Sequence, residues 1–65
     1  MGIMAKVAAS ILNDAGGRVV AAEDDLRKAR RDGADASVLA GKQRAVEAAE
    51  EARAKAARDY RNASR

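Results

Sequence analysis

Two groups of neighbouring carboxylates, Glu23-Asp24-Asp25 and Glu47, Glu50, Glu51, are the residues here whose types could do chemistry. Paired carboxylates can act as general acid and base, or as ligands for hard divalent cations. The helical di-iron arrangement also needs Glu-x-x-His on facing helices, and the chain has no histidine. It has no cysteine either, which removes thiolate metal sites, thiol nucleophiles and a disulfide framework. Gly16-Gly17 lacks the Lys-Ser/Thr and the preceding strand of a phosphate-binding loop. The carboxylates are therefore read as a solvated face. No catalytic residue, metal ligand, cofactor or small-molecule substrate is assigned, and the chain is expected not to be an enzyme.

The cations suggest a different activity. The formal charge is +3, and Arg53, Lys55, Arg58, Arg61 and Arg65 dominate the C-terminal end, relieved only by Asp59. A helix end carrying several arginines can contact nucleic-acid phosphates. Tyr60 alone could stack on a base, and no helix-turn-helix spacing is present. The other readings of this run are a solubilising face and a surface that docks to an acidic protein.

Apolar residues recur at helical spacing in both halves. One stripe reads Ile3, Val7, Ile11, Ala15, Val19, Ala22, Leu26, Ala29; the other reads Val38, Ala45, Ala49, Ala52, Ala56, Tyr60, Ala63. Alanine-lined faces let two helices approach closely, yet each methyl group buries little surface. The block Ile3, Met4, Val7, Ala8, Ile11, Leu12 is greasier than anything facing it, and Met4, Ala8 and Leu12 are expected on an adjoining face. The excess is read as a patch that docks to another protein. The expected protein-interface residues are Ile3, Met4, Val7, Ile11, Leu12, Ala45, Ala49, Ala52, Ala56 and Tyr60.

These stripes require helices. There is no proline and no period-two apolar alternation, so strands are not expected. Gly33 suits the left-handed residue that ends a helix, with Lys28, Arg30 and Arg31 in the last turn, where cations oppose the helix dipole. Asp35 suits the N-cap of the next helix, with Ser37 the lesser candidate. The predicted fold is all-α, one antiparallel helical hairpin over 1–65: a helix over about 3–32, a turn at 33–35 and a helix over about 36–62. Folding back near Ala34 places Gly16-Gly17 opposite Ala52 and Arg53, small against small, which favours a continuous first helix bent there over a break into two pieces. Pairs such as Asp14–Arg18, Glu23–Arg27, Asp24–Lys28, Glu50–Arg53, Glu51–Lys55 and Lys55–Asp59 are expected to support the exposed faces.

This plan, a short alanine-using hairpin with an Asp-rich turn, resembles the plasmid repressor-of-primer family, whose hairpins dimerise into a four-helix bundle. The likeness covers the hairpin and turn, and no individual residue carries over. Asp14-Ala15-Gly16-Gly17 is also similar to a short run in the mitochondrial ATP-synthase inhibitor family.

At 65 residues, with neither Trp nor Phe, the hairpin has little apolar surface to offset the entropy of ordering. It is expected to sit in a larger helical assembly, as a homo-oligomer or docked on other protein subunits. The expected function is a structural or assembly component, for example of a virion. The alternatives are a nucleic-acid-binding hairpin and a small inhibitor or adaptor docking through Ile3–Leu12. Met1–Leu12 contains Lys6 with no charged leader before it, unlike a signal peptide, and no apolar run reaches bilayer-spanning length. A location in the cytoplasm or within a virion or other large assembly is expected.

Overall fold

Strong helix formers dominate both halves of the chain, and each half forms one uninterrupted helix. The structure is a computed structural model and describes residues 3–64: α1 spans Ile3–Arg31 and α2 spans Ala36–Ala63. The helices fold back antiparallel into a rod of 48 × 13 × 10 Å. α1 runs without a break through Gly16-Gly17.

The reversal is held by local hydrogen bonds. Gly33 takes φ of 75°, the left-handed conformation that costs glycine nothing. Its N–H donates to the Arg30 carbonyl at 3.2 Å, while the Ala34 N–H reaches back to the Ala29 carbonyl at 3.0 Å. Together these satisfy the last carbonyls of α1 in a Schellman arrangement. Two residues on, the Asp35 carboxylate accepts from the Val38 N–H at 3.1 Å and from the Ser37 hydroxyl at 3.0 Å, capping α2. Those two donors favour the ionised form and hold the Asp35 carboxyl below the ordinary aspartate range.

The seam between the helices follows a strict alternation of three and four residues. In α1 it is Ala5, Ala8, Leu12, Ala15, Val19, Ala22, Leu26 and Ala29; in α2 it is Leu39, Lys42, Val46, Ala49, Arg53, Ala56, Tyr60 and Ala63. Ala5, Ala8, Ala15, Val19, Leu26, Val46 and Ala56 are buried, and every other seam residue except exposed Arg53 is half-buried. The turn and the Lys42–Asp25 ion pair at 2.7 Å set the register. That register puts Ala29 level with Leu39, Ala22 with Val46, Val19 with Ala49, Ala15 with Arg53, Leu12 with Ala56, and Ala8 with Tyr60. Each of these levels matches an alanine to a larger side chain.

This seam corrects the expected stripes. Ile3, Val7 and Ile11 are exposed, and Ala8 and Leu12 take the places assigned to them. The reason is geometric: a series spaced by four drifts about 40° round the helix at each step, so stepping back from Ala15 through Ile11 and Val7 leaves the seam. In α2, Val38, Ala45 and Ala52 are likewise exposed, displaced by Leu39, Val46 and Arg53 on the next row round.

The glycine expectation changes as well. Gly16 does lie beside Arg53, but a Cβ built there would meet only the Arg53 Nε at 4.0 Å, and one at Gly17 would meet nothing within 4 Å. Close backbone approach does not demand glycine at either position. Of the expected ion pairs Lys55–Asp59 is formed at 2.8 Å, whereas Arg27 bonds Asp24 at 2.9 Å.

Thermal and chemical denaturation monitored by circular dichroism check this account. Leu at Ala49 overpacks the seam and should destabilise by about 1–3 kcal/mol, whereas Ala52→Leu, on the exposed row, should stay within about 0.5 kcal/mol. Gly41→Ala, with nothing within 4 Å of the added methyl, should stabilise by about 1 kcal/mol. Because folding lowers the Asp35 pKa, its contribution is present above the ordinary aspartate value of 3.8 and is lost as pH falls through the lower folded value. Asp35→Ala should therefore lower the melting temperature by several degrees at neutral pH, and the gap should close in acid.

Candidate protein-docking face

Four of the large apolar residues that the seam rejects fall on one side of the rod at its free end, while Val20 and Val38 are exposed elsewhere. Ile3, Met4, Val7 and Ile11 are all exposed and cover an arc of about 100° at ~100° per residue. Met4 and Ile11 border the seam, and Val7 and Ile3 lie further round. Together with Ala8 of α1 and Ala56, Asp59 and Ala63 of α2, Met4, Val7 and Ile11 line a groove of about 250 Å³ at the free end of the hairpin. Its single charged wall, Asp59, is neutralised by Lys55 at 2.8 Å. Leu12, placed by sequence reasoning with this patch, is instead half-buried in the seam beside Ala56.

The remaining expected interface residues divide between two surfaces. Ala49, Ala56 and Tyr60 belong to the seam, while Ala45 and Ala52 face solvent on α2. Tyr60 sits level with Ala8, one residue from Val7. Ala5 and Val46 are buried residues that sequence reasoning left out of the stripes, although the three-four alternation running from Ala29 back to Ala5 and from Leu39 to Ala63 contains them.

The other flank mixes charged and apolar groups. A groove of about 670 Å³ there is lined by Leu12, Asn13, Gly16, Glu50, Arg53, Ala54 and Ala57. The C-terminal cations do not collect on one face. Arg53 lies over the seam beside Gly16, and Arg61, Arg58 and Lys55 follow it round about 200° of the helix surface at ~100° per residue. Lys55 is already paired with Asp59. Arg65 lies outside the described residues.

The acidic groups are dispersed too. Glu23, Asp24, Asp25, Glu47, Glu50 and Glu51 are exposed, with Asp24 bonded to Arg27 and Asp25 to Lys42. Among the described residues no group of three or more acidic side chains is placed to hold a metal ion, and no helix is long and apolar enough to cross a membrane. No family model, curated protein or solved structure matches the chain.

Proposed function

We propose that this hairpin is a non-enzymatic assembly element that docks to other protein subunits, copies of itself or a larger scaffold such as a virion. The observation behind this reading is the apolar patch of Ile3, Met4, Val7 and Ile11, exposed together at one end of the rod. Exposed apolar side chains gathered in one place, beside a groove of their own making, are typical of a surface that becomes covered on association. The all-helical frame suits this role because it presents the patch on a stiff element.

The second reading, nucleic-acid contact through Arg53, Lys55, Arg58 and Arg61, rests on charge alone, and those residues are spread round α2. An inhibitor or adaptor docking through the same N-terminal patch belongs to the first reading, with a different consequence for the partner.

The test compares wild-type protein with Val7→Asp and with Arg58→Ala/Arg61→Ala. Association with protein, read as sedimentation mass in native extracts, should collapse in Val7→Asp while helicity is retained, and should survive the arginine changes. Oligonucleotide anisotropy at low and moderate salt should be flat. Steeply salt-dependent binding that is lost in the arginine variant, together with a Val7→Asp protein that sediments like wild type, would replace docking by nucleic-acid contact.

A further inference from the structure

The partner of the N-terminal patch can be narrowed, resting on the docking reading above, because the patch is apolar along its length and so can complement itself. Ile3, Val7 and Ile11 are spaced by four residues on each side of Val7. The order Ile–Val–Ile reads the same from either end, and Ala5 and Ala9 flank the centre in the same way. Turned over about an axis through Val7, the segment presents Ile11 where Ile3 had been. A two-fold axis does not need such a repeat, but one placed at Val7 sets Ile3 on Ile11 and Val7 on Val7, so every contact along the stripe is apolar on both sides and the patch complements itself.

Charge points the same way. A surface that pairs with itself sets like charge on like charge, so it must carry none at its centre. Lys6 is the one ionised side chain between Ile3 and Leu12, and it lies about 100° round from Val7. Asp59, at the edge of the groove, is held by Lys55. A partner chosen by charge has nothing here to recognise, and a second copy has nothing to repel.

The area sets a limit. Ile3 is 80% exposed, Met4 72%, Ile11 54% and Val7 47%, which leaves roughly 500 Å² per copy, so pairing two copies would cover at most roughly 1,000 Å² in all, the lower edge of specific interfaces. An interface of that size would be reversible rather than obligate.

We infer that two copies of the chain pair through Ile3, Val7 and Ile11, α1 against α1 and antiparallel, with the two-fold axis at Val7. Ile3 of each copy meets Ile11 of the other, and Met4 of each reaches toward the groove beside Ala56 and Ala63. The overlap is confined to the free ends of the rods. At ~1.5 Å per residue the paired segments share about 14 Å, so the dimer is an extended body about 80 Å long. A fully overlapped four-helix bundle would stay near the 48 Å length of one rod.

The experiment uses the full chain, which offers no cysteine of its own to interfere. Sedimentation equilibrium between about 1 and about 100 µM should show reversible dimers, and small-angle scattering of the dimer should give a maximum dimension near about 80 Å. Single cysteine variants locate the axis: Val7→Cys should cross-link to itself on mild oxidation, and Ile3→Cys mixed with Ile11→Cys should cross-link to each other. Val20→Cys, equally exposed but on another face, should link at least tenfold more slowly than Val7→Cys. Val7→Asp should abolish dimers without loss of helicity. A wild-type protein that stays a single chain at about 100 µM overturns the second copy as partner, while its Val7-dependent association in extracts would leave the wider docking reading standing. Dimers with a maximum dimension near about 50 Å, or with Val20→Cys linking as fast as Val7→Cys, would overturn the axis.

Discussion

The molecule depends on one constraint: at most levels of the seam, an alanine on one helix meets a larger side chain on the other. Leu12 lies level with Ala56, Val19 with Ala49, Val46 with Ala22 and Leu39 with Ala29. Two large residues at one level would push the helices apart, and two small ones would leave a gap that costs the lining atoms their contacts. The pairing of unequal sizes lets large and small side chains share each level. It also limits what the seam can contribute, since half of each apolar pair is a methyl group. Stability then leans on helix propensity, on the Gly33 reversal and on the Asp35 cap.

Polar residues occupy two seam positions, and each is accommodated differently. Lys42, half-buried in the seam, carries its ammonium out to Asp25 at 2.7 Å. Pairs this exposed contribute at most about 1 kcal/mol; their value here is in register, because a one-turn slip would separate the two charges. Arg53 lies beside Gly16 and keeps its guanidinium exposed. No polar side chain is buried among the described residues. The buried residues are few but all apolar, and the charges remain in water.

The same constraint explains why an apolar patch exists at all. Ile3, Val7 and Ile11 are the bulkiest run in α1, yet they are out of phase with the seam and stand beside it. The seam at that end is filled by Ala5 and Ala8 against Tyr60 and Ala63. Bulk has been moved from the inside of the hairpin to its flank, where it adds nothing to the isolated fold. Its placement, at the end remote from the turn and clear of charge, is what gives the docking proposal its content. The basic residues of α2 show the converse: numerous in the sequence, they disperse once wound on a helix.

Much of the fold was legible from residue types. Gly33 ends α1 because only a residue without a Cβ takes φ of 75° without cost, and Asp35 starts α2 because its carboxylate can bond the free N–H of Val38; both follow from local chemistry. The antiparallel hairpin then follows from so short a connection. The choice of face did not follow as directly. Ala49, Ala56 and Ala63 form half of the α2 seam, and the row that completes it can lie three residues before them or four. Sequence reasoning took Ala45 and Ala52; packing took Val46 and Arg53, in line with Tyr60, which the expected stripe already held.

In α1 the greasiest residues were taken for the core, although the unbroken three-four alternation from Ala5 to Ala29 pointed elsewhere. Hydrophobicity says which residues gain from burial, while the phase of the helix says which of them can reach. The chain by itself determined its helices, their ends and their reversal, since those are set within a few residues of one another. Only the docking of α1 on α2 decided which side of each helix is inside, because that depends on two surfaces fitting at once along the whole rod.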